Sequence, residues 1–363
     1  MQKERLLYLD GLKGIAAIWV VLHHFYLMTY TAMPTDWHII EDIPFVNIFF
    51  NGNFAVHLFL MISSFLMTMI IRKDNNIISL QRTIVKRYFR LAVPISIIIL
   101  LTCLLYYCNI MTVHEYSVLT GNSKISNYFY ELSPRDFVFS LLFSPLGHSK
   151  VIGPCWMLKF IFIGTFLIAI INIAIHNLER KKRILVYFLA LLLSYYISWN
   201  YVSIILGMIL YDIGAGGEGK KYLNKWAKFL LLLTAFSLPV LSPSLFNNIV
   251  WINVFSACCL FVAVYNSAFL KKVISTKGFL FLGKVSLGIY LIHWPVFCSL
   301  SSTLLLRNCT SANVLIVLFL SIVVVLILSF IYSRYIETKC GRVVNFITDY
   351  ILKSEQYSNN SIK

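Results

Sequence analysis

The sequence predicts an all-α, polytopic integral membrane protein, because it is apolar throughout, poor in charge, and basic mainly in alternate loops. Of its 363 residues, 59% are hydrophobic and 13% charged, against about 45 to 50% and roughly 25% in soluble domains. Aromatic residues reach 15%, with 28 Phe and 21 Tyr, as suits a chain with many crossings of the headgroup layer. The formal net charge of +16 fits Lys and Arg gathered on inner loops and calls for no nucleic acid partner.

A spanning helix needs about 20 mostly apolar residues. Ten segments qualify: 12–30, 53–71, 91–112, 154–175, 184–198, 200–213, 228–242, 249–267, 285–305 and 313–333. The fifth and sixth are short and nearly continuous, and fusing them would invert everything that follows. Charge argues for keeping them apart. With about ten spans and both termini cytoplasmic, 26 of the 31 basic residues lie inside, leaving Lys124, Arg135, Lys150 and Arg307 outside and Lys159 within a span. Nine spans would carry the last three basic clusters outward, against the positive-inside bias.

The basic start "MQKERLLYLDGLK" resembles a signal peptide, but the apolar run after it has no small-x-small cleavage site and reads as a retained first span. One transmembrane domain is expected over 1–345, with a short cytoplasmic tail over 346–363 whose polar end, "SEQYSNNSIK", is expected to be disordered. The outer stretch 113–153 contains the semi-apolar "RDFVFSLLFSPLG", suited to lie along or dip into the interface. Eight cysteines without CxxC spacing read as small buried hydrophobes.

Chemistry enters with "DGLKGIAAIWVVLHHF", Asp10 to Phe25, which sets ionisable residues inside an apolar run. Lys13 and His24 are eleven positions apart, about 1100° of rotation and only some 20° from three whole turns. They share a face with Asp10, Ala17 and Val20, while His23 points about 80° away. Gly14 and Ala17 keep part of that stripe thin enough for another helix or a ligand to approach. At 1.5 Å per residue His24 stands about 16 Å beyond Lys13, near or past the middle of a roughly 30 Å core. Ionisable residues at such depth are functional candidates; a hydrogen bond to a neighbouring helix is the alternative, and the better one for His23.

In "QRTIVKRYFRLAVP", Arg87 and Arg90 are three apart on one helical face at the inner mouth of the third span, with Lys86 four before Arg90. Guanidinium forks suit phosphate oxygens, although basic anchors at inner span ends are also ordinary. Pro94 would bend this helix or mark its first turn. In "LGKVSLGIYLIHWPVF", Ser286, Tyr290 and His293 fall at i, i+4 and i+7 on one face of the ninth span. His293 then reaches about 12 to 14 Å depth, comparable with His24; a ladder of packing hydrogen bonds is the alternative reading.

His57 begins the second span, and Lys159 in "PCWMLKFIFIG" either snorkels to the outer edge, the safer expectation, or faces a wet cavity. A metal site fits poorly, since adjacent histidines diverge on a helix, no HxxxH pair occurs and carboxylates are nearly absent from the spans.

Together these pieces resemble the membrane acyltransferase 3 family. "LDGLKGIAAIWVVLHHF" is similar to that family's first helix, where Arg or Lys precedes His by eleven positions, here Lys13 and His24. Its R-x-x-R matches Arg87 and Arg90, its late Ser, Tyr, His, Pro block matches "LGKVSLGIYLIHWP", and "FAVHLFLMISSFLM" is similar to its second helix with Ser64 in place of the usual Gly. Many members read W-x-L-x-x-E at the fourth helix, whereas "WMLKFI" puts Ile161 where the acid belongs.

The resemblance implies a stand-alone O-acyltransferase of the cell membrane. It would take acetyl from cytosolic acetyl-CoA, a co-substrate and not a resident cofactor, and deliver it to a surface polysaccharide or lipid-linked glycan, with membrane lipid around it. In that reading His24 is catalytic, as general base or transient acyl carrier; Lys13, Arg87 and Arg90 bind the donor; and Ser286, Tyr290, His293, Trp156, Lys159 and Asp10 are candidates for orienting substrate. A non-catalytic polysaccharide exporter or flippase built on the same fold is the rival, supported by the missing acid.

Overall fold

The computed structural model describes residues 6–32, 48–74, 77–215, 223–245 and 250–360. Among these the chain is helical and contains no strand. The helices are α1 (Leu7–Thr29), α2 (Gly52–Asp74), α3 (Ile77–Tyr107), α4 (Val113–Thr120), α5 (Pro134–Phe143), α6 (Trp156–Ala174), α7 (Arg180–Ile197) and α8 (Trp199–Ala215). They continue as α9 (Lys225–Leu245), α10 (Val250–Asn266), α11 (Ala268–Ile274), α12 (Lys277–Val296), α13 (Ser302–Arg307), α14 (Ser311–Ile331) and α15 (Thr338–Asn360).

Each of the ten apolar segments read from the sequence falls on a helix. Six helical stretches among the described residues are by themselves long and apolar enough to cross a membrane: α1, α2, α3, α6, α12 with α13, and α14 with its continuation into α15. The pair α10 and α11 joins them if its 98° bend lies within one span. The fifth and sixth segments are separate helices, α7 and α8, broken at Ser198, where the backbone is extended.

The tail departs from expectation. The helix α15 runs to Asn360, into the polar end expected to be disordered. Val344 and Thr348, one turn apart, are buried, Arg82 of α3 pairs with Asp349, and α15 lies chiefly along α3. A polar sequence can hold a helix when one narrow face is packed and the other is solvated.

At the centre, α1 packs most extensively against α12 and then against α2. The contact is close because of glycine. A Cβ on Gly14 would lie 2.4 Å from the Gly283 nitrogen, one on Gly283 would lie 2.1 Å from the Asp10 carbonyl oxygen, and one on Gly11 would lie 2.2 Å from the Ile274 carbonyl oxygen. Where lipid is as apolar as the side chains, such backbone approach is what gives helix pairs their dispersion energy. The second tight seam joins α2 to α8, where a Cβ on Gly207 would fall 1.9 Å from Ser64 Oγ. The space that a glycine would leave at position 64 is thus supplied from the facing helix.

Proline shapes the other two important helices. Pro94 lies inside α3 and not in its first turn, because the helix already begins at Ile77. Pro295 near the end of α12 removes a backbone donor, and a π turn follows over Phe297–Ser301. Ser299 donates to the Pro295 carbonyl (2.7 Å), Ser302 to that of Cys298 (2.9 Å), and the Thr112 amide also reaches Cys298 (3.1 Å). Small hydroxyls and an outer-loop amide thereby satisfy carbonyls that the irregular turn frees.

The outer segment is folded down onto the bundle. Ser133 and Asp136 form a capping box at the start of α5, and Lys150 pairs with Asp136 at 2.6 Å; the Lys150 contact, aided by Ser133, holds the Asp136 carboxyl at about 2. Phe137 packs on Tyr106 and Tyr107, while Val138, Phe139 and Leu142 stay exposed, which leaves the apolar stripe expected of an interfacial helix. At the far end Asn122 donates to the carbonyls of Leu27 (2.9 Å) and Met28 (3.0 Å), capping the end of α1.

Replacing Gly283 by Val should force α12 away from the Asp10 carbonyl and destabilise the protein by about 1–3 kcal/mol, the usual cost of overpacking. A lowered thermal unfolding midpoint in detergent would report it, and Gly278→Val, at a position open to solvent, should lack that effect on packing.

Candidate active site

The α1 to α12 contact brings two histidines from distant parts of the chain face to face. The ring centroids of His24 and His293 are 5.1 Å apart, and the Trp294 ring stands 5.7 Å from His24, edge to face. His293 is fully buried (0% exposed), whereas His24 keeps some accessible surface. Of the pair, His24 is the one a substrate can touch.

Both rings have the same anchoring. The Nδ1 of His24 lies 2.8 Å from the Val20 carbonyl and that of His293 lies 3.0 Å from the Ile289 carbonyl, each one turn back on its own helix. A carbonyl oxygen only accepts, so each Nδ1 carries the proton and, in the neutral ring, each Nε2 carries the lone pair. Two basic nitrogens are therefore turned away from their own backbones.

Orphaned polar atoms surround the pair. His293 Nε2 and Trp294 Nε1 are buried without a hydrogen-bond partner. Such groups are rare in native proteins, because leaving one unsatisfied costs about 1–3 kcal/mol.

The surrounding wall comes from the outer segment and from the turn before α6. The Tyr128 ring meets Trp294 at 4.7 Å, edge to face. Tyr290, on the α12 face predicted from the sequence, donates its hydroxyl to the Pro154 carbonyl, and its ring is 6.2 Å from that of His293. Gly153 lets this turn in, since a Cβ there would lie 2.7 Å from the Tyr128 hydroxyl and 2.9 Å from Trp294. Tyr128, Gly153 and Pro154 were not legible as site residues; Trp294 was, at most, the neighbour of a selected histidine.

His23 has a different environment. Its Nδ1 lies 2.7 Å from the Phe50 carbonyl, and its ring occupies the space a Cβ on Gly52 would need, 2.4 Å away. It fixes the chain entering α2. His57 is likewise held inside the fold, sharing a 2.9 Å hydrogen bond with Ser203.

The remaining candidates spread out. Lys13 is partly exposed toward the inner end of α1, and Ala17 and Val20, between it and His24, are packed in the core. Asp10 gives its backbone to the α12 contact. The Ser286 hydroxyl donates to the Gly283 carbonyl within α12 (2.9 Å). Trp156 is exposed and meets Phe160 edge to face at 6.1 Å; Lys159 places Nζ 4.9 Å from the same ring, its stem against Gly147 of the outer segment. Lys159 thus makes a cation–π contact, and neither residue shares the ring contacts of His24.

Arg87 and Arg90 do not act on one surface. Arg90, with Lys86, lines a cleft of about 340 Å³ between α3, α12 and α15. Arg87 instead lines a narrow crevice with Ser63 and Ser64 of α2 and Ile161 of α6, and its Nε is buried without a hydrogen-bond partner. Three residues leave about 60° between the two side chains, enough to straddle a helix ridge. Lys86 and Arg90, four apart, stay together.

A family model described as an acyltransferase domain matches residues 6–334. The chain belongs to this acyltransferase family. Among curated proteins it is similar to the O-acetyltransferase PaAT-1 of Phomopsis amygdali, with 21% identity over 96% of this chain and 86% of that protein. No solved structure matches it. The family domain thus takes in the whole histidine site and both arginines, and it ends at Arg334, within the π turn over Tyr332–Glu337 that precedes α15.

Family membership gives the Ile161 departure a physical neighbour. At this position, where the resemblance leads one to expect an acid, the side chain is 7% exposed and faces the crevice of Arg87. Ile161→Glu should therefore be tolerated, its carboxylate pairing with Arg87. In an Arg87→Ala background the same change should cost about 3–5 kcal/mol, the penalty of an unpaired buried charge. Thermal unfolding of the four variants in a double-mutant cycle checks this; additive effects would mean that the two positions do not meet.

Proposed function

We propose that the protein transfers an acyl group, acetyl from cytosolic acetyl-CoA, across the cell membrane to a hydroxyl of an exported or cell-surface carbohydrate. The observation that carries this reading is His24: partly accessible, its Nδ1–H fixed on Val20 and its Nε2 left basic, with the His293 and Trp294 rings against it. Family membership supports acyl transfer as the chemistry, and the distant relative is named an O-acetyltransferase.

In this mechanism the acceptor hydroxyl lies against the accessible side of His24, with the His293 and Trp294 rings packed behind it. His24 Nε2 takes its proton as the oxygen attacks the thioester carbonyl; the carbon–sulfur bond breaks, and the proton passes to the departing thiolate. Trp294 Nε1–H supports the oxygen that carries negative charge in the transition state. Tyr290 holds His293 in register through its bond to Pro154.

On the inner side Arg90, with Lys13, holds donor phosphates, and guanidinium is suited to that task because it does not lose its charge. Arg87, turned into its own narrow crevice, stands apart from this donor site. The thioester must pass Ala17 and Val20 to reach His24, so small side-chain movements along α1 accompany each transfer. The orientation assumed is both termini cytoplasmic, which the distribution of Lys and Arg favours.

The exporter reading rests on Ile161, and the two readings part in the cell. Loss of an acyltransferase leaves glycan exported and unacetylated, whereas loss of an exporter traps glycan inside. Mass analysis of surface glycan from wild-type and deletion strains distinguishes them.

His24→Ala should lower acetyl transfer at least about 100-fold, the usual scale for removing a general base, with membrane abundance unchanged. Undiminished glycan acetylation in that variant would remove His24 from the reaction.

A further inference from the structure

The cleft of about 340 Å³ beneath the bundle has two walls of different origin. Lys86 and Arg90 of α3 and Leu287 of α12 belong to the family domain; Glu337, Arg342 and Asn345 lie beyond its last matched residue, Arg334. The second wall is anchored elsewhere along α15, by the Arg82–Asp349 pair and by buried Val344 and Thr348.

The chemistry of this lining is specific. Three side-chain cations, Lys86, Arg90 and Arg342, converge on one space that holds a single carboxylate, a formal excess of positive charge that favours a ligand with two or more negative charges. The carboxylate is not idle: Glu337 Oε2 is buried without a hydrogen-bond partner, an acceptor that requires an N–H or O–H from the occupant. Asn345 adds an amide able to donate and accept. Phosphate for the cations, an amine for Glu337 and an apolar floor at Leu287 together describe a phosphorylated nucleotide, and the volume lies within the range of small-molecule sites, about 300–1,000 Å³.

We propose that α15, outside the family domain, forms half of the binding site for the nucleotide end of the acyl donor, with Arg342 and Lys86 joining Arg90 on the phosphates and Glu337 accepting from the base. The assignment rests on the reading of acetyl-CoA as donor. It makes the C-terminal helix part of the substrate-binding apparatus, which explains why a polar segment is held folded against α3.

The test uses full-length protein in nanodiscs of zwitterionic lipid, with initial rates of acetyl transfer from acetyl-CoA. Arg342→Gln and Lys86→Gln, on opposite walls, should each raise KM for acetyl-CoA about tenfold with kcat within twofold, the pattern of lost ground-state binding. Arg342→Lys should recover most of the loss, and Arg135→Gln, at an exposed position on α5 that does not line the cleft, should leave KM unchanged. Wild-type and variant unfolding midpoints establish that each is folded, and Lys86→Gln reads the site even where the Arg342 variant does not fold.

An unchanged KM in both glutamine variants, with an active wild type, overturns the proposal and leaves the donor reading intact. A wild-type protein that transfers nothing from acetyl-CoA overturns both. If the variants differ from wild type only when phosphatidylglycerol is added to the nanodisc, the cations serve lipid headgroups and the proposal falls.

Discussion

The close approach of α1 and α12 is the constraint on which the remaining structure depends. Gly14 and Gly283 bring the two backbones into contact, and only at that separation do His24 and His293, each ten residues and nearly three turns farther along its helix, meet. Larger residues would hold the helices apart by the width of a side chain, and the ring pair would open. The membrane sharpens this dependence: lipid offers no hydrophobic gain for helix association, so fit between small residues does most of the holding.

From that contact the site assembles by successive closures. The π turn after Pro295 is stabilised by Thr112, so the outer segment is tied to the end of α12. The same segment caps α1 through Asn122 and lays Tyr128 on Trp294. The two site helices and their cover are therefore joined by hydrogen bonds at separate points. On the inner side a second polar knot, Arg72 with Asn172, Tyr187 and Asp212, fastens α2, α6, α7 and α8 together. Arg72, which the sequence offered as an ordinary inner-loop cation, is a structural clamp.

Helical arithmetic made much of this legible. Eleven residues and 1.5 Å rises paired Lys13 with His24 and set His24 level with His293, and the structure puts those two rings in contact. The i, i+4, i+7 face of α12 also holds, with Tyr290 beside His293. What failed was whatever depended on more than one helix. Phase alone put Arg87 and Arg90 together, but 60° on a ridge between three neighbours sends them to different spaces. Trp156 and Lys159, the latter noted as a lysine inside a span, have Phe160 and Gly147 as neighbours and not the histidine pair. The order of α15 was hidden because its composition is that of a tail, and only the α3 surface beneath it makes the packed face worthwhile.

The anchoring of both site histidines to their own helices has a consequence for proton traffic. A ring that relays protons through itself must take one at one nitrogen and give up another at the second. Here each Nδ1–H points at a peptide carbonyl of the preceding turn, which cannot carry a proton onward. Each histidine is a dead end and not a wire: whatever it accepts at Nε2 must be returned on the same side. The histidine pair is thereby insulated, with neither ring offering a proton path through itself along its own helix.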